Sequence, residues 1–557
     1  GVSDAEEAVT QVTGVSKQDG VKNVFVRGLG DRYNSTSLNG LPLPSEDPQY
    51  KNITLDFFPS QIINNIDVNK TFDATRFGDN AGANIDITSK KLFADQEFTI
   101  GGSLGANSQT FGQDFYRADG TNFFGTTDNS IPITDLNEYG FENSYAPSKI
   151  SGQPMNSNIY AMGGKNFSLG SNSLKTFFVG SMSNKYFLKK GVERQVNPNG
   201  GIRQDYTYDK YQYDVAQKAL ASISYEYGRS NSLSYNGIYI HYNKQYVADY
   251  IGFSLNGNDD INDPNAYKTF QRRQQQNDNT VFVNQLLFTQ QLAENLTLDM
   301  KGSFNVATGN EHDRRTNFYI FDGDEYRINT GSPAYNNRFY SSIVENDLTA
   351  ITSLTYSFNK EKNNKITVGY NYRNTHRDFE STQFNFDFVQ PEAVSVSDPD
   401  ALFNQQNIDN GTFDLETARG SNSSALNPFT YTGKRGIHAG FINVVWELSP
   451  VLTVNFGGRF ETIQQSVDFD TNLKTGSTSI NTTYFLPSLN LKYNLGDDDI
   501  LRLAASQTYT LPQFKEVAPF FYEDVNESAF GNPDLKPSQN FNVDVRYEHY
   551  FSNVELI

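Results

Sequence analysis

The feature that most constrains this chain is a repeated alternation of apolar and polar residues with a period of two. In one run the apolar positions are Leu452, Val454, Phe456 and Phe460, and the polar positions between them are Thr453, Asn455, Arg459 and Glu461. The same division recurs near 296–305 and 541–548. Because successive side chains of a strand point to opposite faces, each run predicts a strand with one apolar and one polar face.

The connections between these runs distinguish a membrane barrel from a soluble sandwich. The strand-like runs number about fourteen and lie near 97–105, 157–167, 174–187, 216–228, 232–246, 279–292, 296–308, 344–359, 365–382, 435–448, 452–467, 481–496, 499–510 and 540–551. Short turns, at 168–173, 228–231, 293–295, 360–364, 449–451 and 496–499, alternate with excursions that are mostly about thirty to fifty residues long. Short turns at one end and long loops at the other are typical of a transmembrane antiparallel β-barrel in a bacterial outer membrane. A soluble sandwich gives no reason for this asymmetry.

The aromatic content agrees with a mainly β membrane protein. The chain has 43 Phe and 33 Tyr but a single Trp. Tyr227, Phe358, Tyr493 and Phe551 lie on the apolar face beside a short turn, where an interfacial aromatic belt is expected. The alternative is that aromatic residues simply favour strands. No 18 apolar residues run together, so the sequence predicts no membrane-spanning helix.

Composition excludes several classes of function. The net charge of -19 argues against nucleic acid as a partner, because phosphate neutralisation needs a basic face. The chain has no cysteine, so disulfides and zinc-thiolate sites are excluded. Its five histidines show no i, i+4 spacing and no G-x-S-x-G motif is present. We therefore predict no enzyme activity, no catalytic metal and no cofactor.

The first ninety residues differ from the rest, because they contain short apolar segments and no long alternating run. Within them, GLGDRYN (28–34) has glycines but lacks the ending of a phosphate-binding loop and the third glycine of a dinucleotide fingerprint. Asn39 and Gly40 predict a type I′ hairpin turn. Gly28 and Gly30 permit close backbone packing. This part predicts a small α/β domain that precedes the barrel.

In their order, these segments resemble the plug domain of TonB-dependent outer-membrane transporters, a Bacteroidetes-like member that is not clearly SusC-like. The matching plug positions are Val26, Arg27, Gly28, Leu38, Asn39, Gly40, Phe77, Gly78, Gly82, Asn84, Ile85, Ile87, Thr88 and Lys90. Near the other end of the chain, 509–520 and 531–551 resemble a late extracellular loop of the family and the strand that follows it.

The resemblance implies a plug at 1–92 inside a barrel at 93–557. Family barrels have about 22 strands, so we expect further strands beyond these, and a TonB-coupling segment before the plug. The implied function is TonB-dependent import of a scarce solute across the outer membrane of a Gram-negative bacterium. A siderophore, cobalamin, an oligosaccharide and a peptide remain open as substrates, although the absence of the SusC-like motif weakens a polysaccharide. Outer-membrane lipids are the other expected partner, with a surface lipoprotein or another outer-membrane protein left open.

A different class of function remains as the alternative. The chain is then a plugged barrel that serves as a structural or interaction subunit of an outer-membrane assembly, secretion or biogenesis complex.

The resemblance also singles out site residues. Arg27 is expected to hold the plug to lumenal carboxylates, with Glu461 and Glu548 as candidates because both fall on predicted polar faces; a local contact within the plug is the alternative. Loop aromatics are expected to stack on the ligand, and the candidates are Tyr246, Tyr250, Phe253, Phe339, Tyr340, Phe520, Phe521 and Tyr522. The acidic stretches 256–266 and 321–325 suggest Ca²⁺, but they lack EF-hand register, and solvated acidic loops are the preferred interpretation.

Overall fold

The computed structural model describes residues 4–18, 23–127, 130–255, 269–359, 363–471, 473–523 and 528–550, together with 555–556; at 522, 523, 528, 555 and 556 only the backbone is described. The N-terminal domain contains α1 (Ala5–Thr10), β1 (Val15–Ser16), β2 (Phe25–Val26), β3 (Ser35–Leu38), β4 (Leu41–Pro42), β5 (Ile63–Asn69) and β6 (Asn84–Ser89). Its main sheet has the order β4-β3-β6-β5, in which β3 and β6 are parallel.

The remaining strands form the barrel and small ribbons in its long connections. In chain order they are β7 (Gln96–Gly105), β8 (Tyr116–Arg117), β9 (Ser148–Lys149), β10 (Asn156–Leu169), β11 (Asn172–Val196), β12 (Ile202–Tyr227), β13 (Asn231–Ser254), β14 (Thr269–Ala293), β15 (Leu296–Phe321), β16 (Tyr326–Ile328), β17 (Asn337–Asn359), β18 (Asn364–Phe388), β19 (Phe413–Thr417), β20 (Phe429–Ser449), β21 (Leu452–Asp470), β22 (Thr475–Asn494), β23 (Asp499–Thr510), β24 (Phe521–Glu523), β25 (Ser528–Phe530), β26 (Ser538–Tyr550) and β27 (Glu555–Leu556). Two further short helices are α2 (Gln405–Asp409) and α3 (Phe514–Val517). No helix among the described residues is long and apolar enough to cross a membrane.

The barrel is one closed sheet in which every pairing with a described register is antiparallel. It runs from β10 through β23, continues with β26, β27 and β7, and β7 pairs with β10. Each of the fourteen predicted runs falls on one of its strands, so the predicted fold class is confirmed. The strands are longer than predicted: β12 and β15 each extend for 26 residues. Since about ten residues are enough to cross the hydrocarbon core, these strands continue well beyond it.

Burial along the strands is the reverse of a soluble protein. The outward residues Phe460 and Val543 are 63% and 80% exposed, whereas the inward Arg459 and Glu461 are fully buried. An apolar exterior around a polar interior is the arrangement of a barrel that faces lipid. Phe358 and Tyr493, two of the residues predicted for the aromatic belt, are exposed on this exterior, and Phe358 contacts the Trp446 ring edge to face. Phe551, also predicted for the belt, lies outside the described residues.

The N-terminal domain occupies the lumen as a plug. Its apolar residues, among them Leu38, Phe57 and Ile87, form one core with wall residues of β11–β15, among them Val179 and Val281. The plug is therefore joined to one side of the barrel by apolar packing.

The described part of the first long connection, residues 106–127 and 130–155, lies against the outer face of the barrel at its long-loop end. Tyr213 donates its O–H to the Phe123 carbonyl at 2.6 Å, and Gln217 donates to the Phe124 carbonyl at 2.9 Å. Both side chains share a strand face with Ile223, which is 38% exposed to the outside. This connection therefore packs away from the lumen, which the sequence did not predict.

Buried charge holds the connection in place. Arg338 donates to both carboxylate oxygens of Asp313 at 3.1 Å and lies 4.5 Å from the ring centres of Phe141 and Tyr145. Asp400 accepts hydrogen bonds from the backbone N–H of Tyr145 at 2.9 Å and of Ala146 at 3.3 Å.

We expect Asp400→Ala to loosen the 106–155 connection without opening the barrel. The change removes the acceptor for two backbone N–H groups, which costs about 2 kcal/mol of local stability. Limited proteolysis of the protein in detergent should then cut within 106–155 several-fold faster than in wild type. Asp400→Asn keeps one acceptor oxygen, which can serve the N–H of Tyr145 but not that of Ala146 as well, so its cleavage rate should fall between those of the alanine variant and wild type. Equal cleavage of the alanine variant and wild type would contradict this role.

Candidate functional site

The plug docks onto the barrel through a backbone contact at Gly78. The N–H of Tyr509, on β23, donates to the Gly78 carbonyl at 3.1 Å, and the N–H of Asn80 donates to the Tyr509 carbonyl at 3.1 Å. The N–H of Leu511 donates to Oδ1 of Asp79 at 3.0 Å. A Cβ on Gly78 would lie 2.2 Å from Cδ1 of Leu486, so only glycine permits this approach.

A fully buried charge cluster supports this contact. Glu461 accepts hydrogen bonds from the Arg459 guanidinium, the Tyr509 hydroxyl and, at 3.2 Å, the N–H of Gly78. All three side chains are fully buried. Glu461 is thus a plug-docking carboxylate, but its partner in the plug is a backbone N–H.

The predicted pairing of Arg27 is wrong. Arg27 forms an ion pair with Asp544 of β26, whereas Glu548 pairs with Arg502 at 2.8 Å and Arg546 at 3.0 Å. Alternation predicted that all three carboxylates face the lumen, which is correct. Alternation does not predict how far along the barrel axis each carboxylate lies from the plug, and this position decides which carboxylate Arg27 can reach.

Because the Arg27 pair is partly exposed, with 37% and 22% of the two side chains accessible, we expect Arg27→Gln to lower stability by less than about 1 kcal/mol. A double-mutant cycle measured by thermal unfolding in detergent should show coupling between Arg27→Gln and Asp544→Asn. The cycle of Arg27→Gln with Glu461→Gln should be additive within about 0.5 kcal/mol. Coupling between Arg27→Gln and Glu461→Gln, together with additivity between Arg27→Gln and Asp544→Asn, would support the predicted pairing of Arg27 with Glu461 instead.

The Asn39–Gly40 turn is the second docking point. Both residues have positive φ, 54° and 80°, as a type I′ turn requires. The Asn39 amide donates to Gln285 of β14 at 2.7 Å, and Lys301 of β15 donates to the Asn39 carbonyl at 2.9 Å. The turn therefore contacts the wall directly.

The remaining plug glycines serve local geometry. Gly28 has a φ of 78° directly after Arg27. A Cβ on Gly82 would lie 2.4 Å from Oδ1 of Asn34, a buried side chain that holds three neighbouring backbone groups of the plug, at Leu29, Gly30 and Ala83.

Above the plug lies a cavity of about 670 Å³, which we call the vestibule. Its floor is the plug loop 46–50, and its walls are mainly inward residues near the long-loop ends of the strands.

Aromatic, amide and charged side chains line the vestibule. The nine aromatic side chains are Tyr50, Phe57, Tyr242, Tyr246, Phe339, Phe379, Phe429, Phe520 and Phe521. Its eight side-chain amides are Gln49, Gln212, Gln275, Asn277, Asn279, Asn310, Gln383 and Asn385. Five acidic and five basic side chains also line the vestibule, so its formal net charge is zero. The acidic residues are Glu6, Glu46, Asp47, Asp56 and Glu311, and the basic residues are Lys17, Lys189, Lys244, Arg273 and Arg314.

The predicted loop aromatics divide into two groups. Tyr246, Phe339, Phe520 and Phe521 line the vestibule, and Phe521 is 42% exposed. Tyr250, Phe253 and Tyr340 do not line it, so their contact with a ligand stays a prediction without support from this cavity. The Tyr250 ring packs on those of Tyr206 and Tyr208, and the Tyr340 hydroxyl donates a hydrogen bond to the Asp313 carboxylate on the outer face of the barrel. Phe253 is buried, and the side chain of Tyr522 is outside the described residues.

Sequence reasoning missed most of the vestibule. The floor loop 46–50 and the inward amides of β14, β15 and β18 were not singled out. Among these amides alternation could have identified only Asn279, because the others lie beyond the ends of the predicted runs.

The acidic stretches show no metal geometry where they are described. Asp322 accepts from the N–H groups of Asp324 and Glu325, both at 3.0 Å, as in a turn. These bonds, and the Arg327 side chain beside them, hold the pKa of the Asp322 carboxyl well below its usual range. The 256–266 stretch lies outside the described residues, and no described group of three acidic or histidine residues is arranged to bind a metal.

Comparison with known proteins gives two family matches that together cover most of the chain. Residues 221–556 match the profile described as TonB dependent receptor-like, beta-barrel, and residues 1–84 match the TonB-dependent Receptor Plug Domain. No curated protein sequence matches the chain significantly.

Solved structures of similar fold include three receptors and transporters. The unliganded ferric citrate transporter FecA has a TM-score of 0.53 at 13% identity, over 99% of this chain and 65% of that one. The siderophore receptor PiuA from Acinetobacter baumannii gives 0.51 at 11%, over 99% and 68%. The pyoverdine receptor FpvA from Pseudomonas aeruginosa PAO1, bound to pyoverdine, gives 0.56 at 11%, over 99% and 64%. The chain therefore spans about two-thirds of the length of these proteins, and the likeness concerns the fold.

Proposed function

Since the chain belongs to the TonB-dependent receptor family of outer-membrane proteins, we propose that it imports a small, polar, scarce solute across the outer membrane, with TonB as its energy-coupling partner. The vestibule is the observation that carries this proposal. Its volume of about 670 Å³ falls in the range of roughly 300–1,000 Å³ that is typical of small-molecule sites. Aromatic faces and amides suit a polar solute that has apolar surfaces.

The arrangement also supports a cycle of capture followed by release of the plug. The vestibule floor belongs to the plug and its walls belong to the barrel. A solute that contacts both would be held until the plug moves. In this proposal no bond of the solute is broken. The similar structures are a ferric citrate transporter, a siderophore receptor and a pyoverdine receptor, so a ferric chelate is the first class of solute to test.

Equilibrium dialysis of the purified protein against labelled solutes tests the proposal. The panel contains ferric citrate, a ferric hydroxamate, cyanocobalamin, maltohexaose and a tetrapeptide. We expect one class to bind, and Phe521→Ala to weaken that binding at least tenfold. Phe530→Ala is the matched control, since Phe530 pairs with Phe521 in the same ribbon but does not line the vestibule. Failure of every class to bind, together with defective envelope assembly in a deletion strain, would favour an interaction subunit.

A further inference from the structure

Residues 122–125, in the first long connection, form a turn that is closed by its own hydrogen bonds. The N–H of Gly125 donates to the Asn122 carbonyl at 3.2 Å, and the Asn122 side chain accepts from the N–H of Phe124 at 3.0 Å. The Asn122 amide also donates to the carbonyl of Thr126 at 2.8 Å. We call these four residues the aromatic turn, because the two in its middle are Phe123 and Phe124.

The backbone of the aromatic turn faces the barrel wall. Each carbonyl group of residues 122–124 accepts a hydrogen bond from an outward side chain of β12 or β13. The donors are Tyr213, Gln217 and Gln245, at distances of 2.6 to 3.1 Å. Gly125 has a φ of 72°, and a Cβ on it would lie 2.4 Å from the Cβ of Asn243, so glycine permits this close approach. The turn is therefore fixed to the outside of the barrel by its main chain.

Because the main chain is turned to the wall, the two aromatic rings are left exposed. Phe123 is 42% exposed and Phe124 is 56% exposed. Their rings contact each other edge to face, with centres 5.4 Å apart. Adjoining apolar side chains that remain exposed on a well-fixed turn indicate an interaction site, whereas single exposed apolar residues need no explanation.

The lipid-facing surface of β12–β14 ends directly beside the aromatic turn. Ala219, Tyr239 and Phe282 are register partners on these three strands, and all three are exposed on the outside of the barrel. In the next outward row toward the long loops, Gln217 is the partner of His241. Since Gln217 donates to the turn, the two phenylalanines continue the lipid-facing surface without a gap in the row order.

Two observations place the hydrocarbon boundary at this row. Nε2 of His241 lies 2.7 Å from the Asp278 carboxylate, and Thr127 of the connection donates to the other oxygen of that carboxylate at 2.5 Å. Such a polar pair on the outer face is costly inside hydrocarbon, so the hydrocarbon ends on its short-turn side. The segment from Gln217 to Tyr227, the last residue of β12, also has about the ten residues that cross the hydrocarbon core.

From this arrangement we propose that the aromatic turn is a membrane anchor, in which Phe123 and Phe124 insert into the outer leaflet at the boundary between headgroups and acyl chains. Aromatic side chains are well suited to that depth. The partner is lipid because the turn continues a surface that lipid already covers.

This anchor differs from the aromatic girdle of a barrel, which is made of strand residues. Phe123 and Phe124 belong to a long connection that returns to the membrane from the long-loop end of the barrel. The anchor therefore ties the first long connection to the membrane as well as to the wall. Neither the anchor nor its test depends on which solute the protein imports.

Quenching of tryptophan fluorescence by brominated lipids tests the anchor. The chain has a single tryptophan, Trp446, so Phe124→Trp in a Trp446→Phe background reports from one position. The protein is reconstituted into phosphatidylcholine liposomes whose acyl chains carry bromine either near the headgroup or near the middle of the bilayer. We expect bromine near the headgroup to lower the emission at least twofold, and bromine near the middle to lower it less.

Two control variants in the same background bracket this result. Ile223→Trp lies on the lipid-facing side of β12 between Gln217 and Tyr227, so bromine near the middle should quench it most. Phe530→Trp lies in the β24–β25 ribbon and is exposed, and neither lipid should quench it. A Phe124→Trp protein that behaves like the Phe530→Trp control, or like the Ile223→Trp control, would overturn the proposal.

Spin labelling gives a second measurement if the tryptophan variant does not fold. Because the chain has no cysteine, Phe123→Cys carries one nitroxide label. In phosphatidylcholine liposomes we expect this label to collide more often with oxygen, which concentrates among acyl chains, than with a water-soluble nickel chelate. The label on Phe530→Cys should show the reverse. A label at position 123 that collides mainly with the nickel chelate would overturn the proposal.

Discussion

We expect Glu461→Ala to be the most damaging single change in the lumen, with a loss of about 3–5 kcal/mol. The substitution leaves the fully buried Arg459 guanidinium without its carboxylate, and it also removes the acceptor for Tyr509 and for the N–H of Gly78. Unpaired buried charge costs far more than the loss of a neutral contact. The measurement is the midpoint of thermal unfolding in detergent, together with hydrogen exchange at residues 77–80.

A paired substitution separates the charge from the packing. The double variant Arg459→Met/Glu461→Met removes both charges and keeps most of the volume, so it should be clearly more stable than Glu461→Ala. If Glu461→Ala unfolded within about 1 kcal/mol of wild type, the cluster would not be the docking element that its burial and contacts indicate.

We expect Gly78→Ala to displace the plug edge from β23. The added Cβ would lie 2.2 Å from Leu486 and 2.8 Å from the Tyr509 ring, and both side chains are fully buried and have no space to retreat. Overpacking of this kind costs about 3 kcal/mol. Because Asp79 and Asn80 follow directly, their bonds to Leu511 and Tyr509 should weaken with it.

Hydrogen exchange at the N–H groups of Asn80 and Leu511 measures this displacement, and both should exchange at least tenfold faster than in wild type. Gly180→Ala is the matched control, since a Cβ there meets no atom within 4 Å. Unchanged exchange in the Gly78 variant would show that the contact can move aside without cost.

The strands and their two faces could be predicted from the sequence because lipid outside and polar lumen inside impose a period of two. The ends of the strands could not. Above the membrane the outer face no longer meets lipid: at Tyr213 and Gln217 it is covered by the 106–155 connection. Apolar and polar residues then occur on both faces, and the alternation that marks a strand is lost. The strands β16, β19 and β27 have five residues or fewer and are too short to show a period.

The plug was recognisable because turn geometry and close packing restrict its residues. Asn39 and Gly40 must adopt positive φ, and Gly78 must leave room for Leu486. Partner identities were not predictable in the same way. Asp544, Glu461 and Glu548 all face the lumen, and only the register of each strand against the plug decides that Arg27 meets Asp544. Loop aromatics have no period at all, so Tyr250 and Phe521 could not be told apart before the fold was known.

The most direct test of import is uptake of labelled solutes by cells that lack the chromosomal gene, restored with wild type or with Phe521→Ala, in the presence and absence of TonB. We predict that wild type restores uptake of one solute class, that loss of TonB abolishes it, and that Phe521→Ala reduces it at least tenfold while the protein stays in the outer membrane. Equal uptake of every solute with and without the protein would contradict the account, and so would uptake that continues unchanged without TonB.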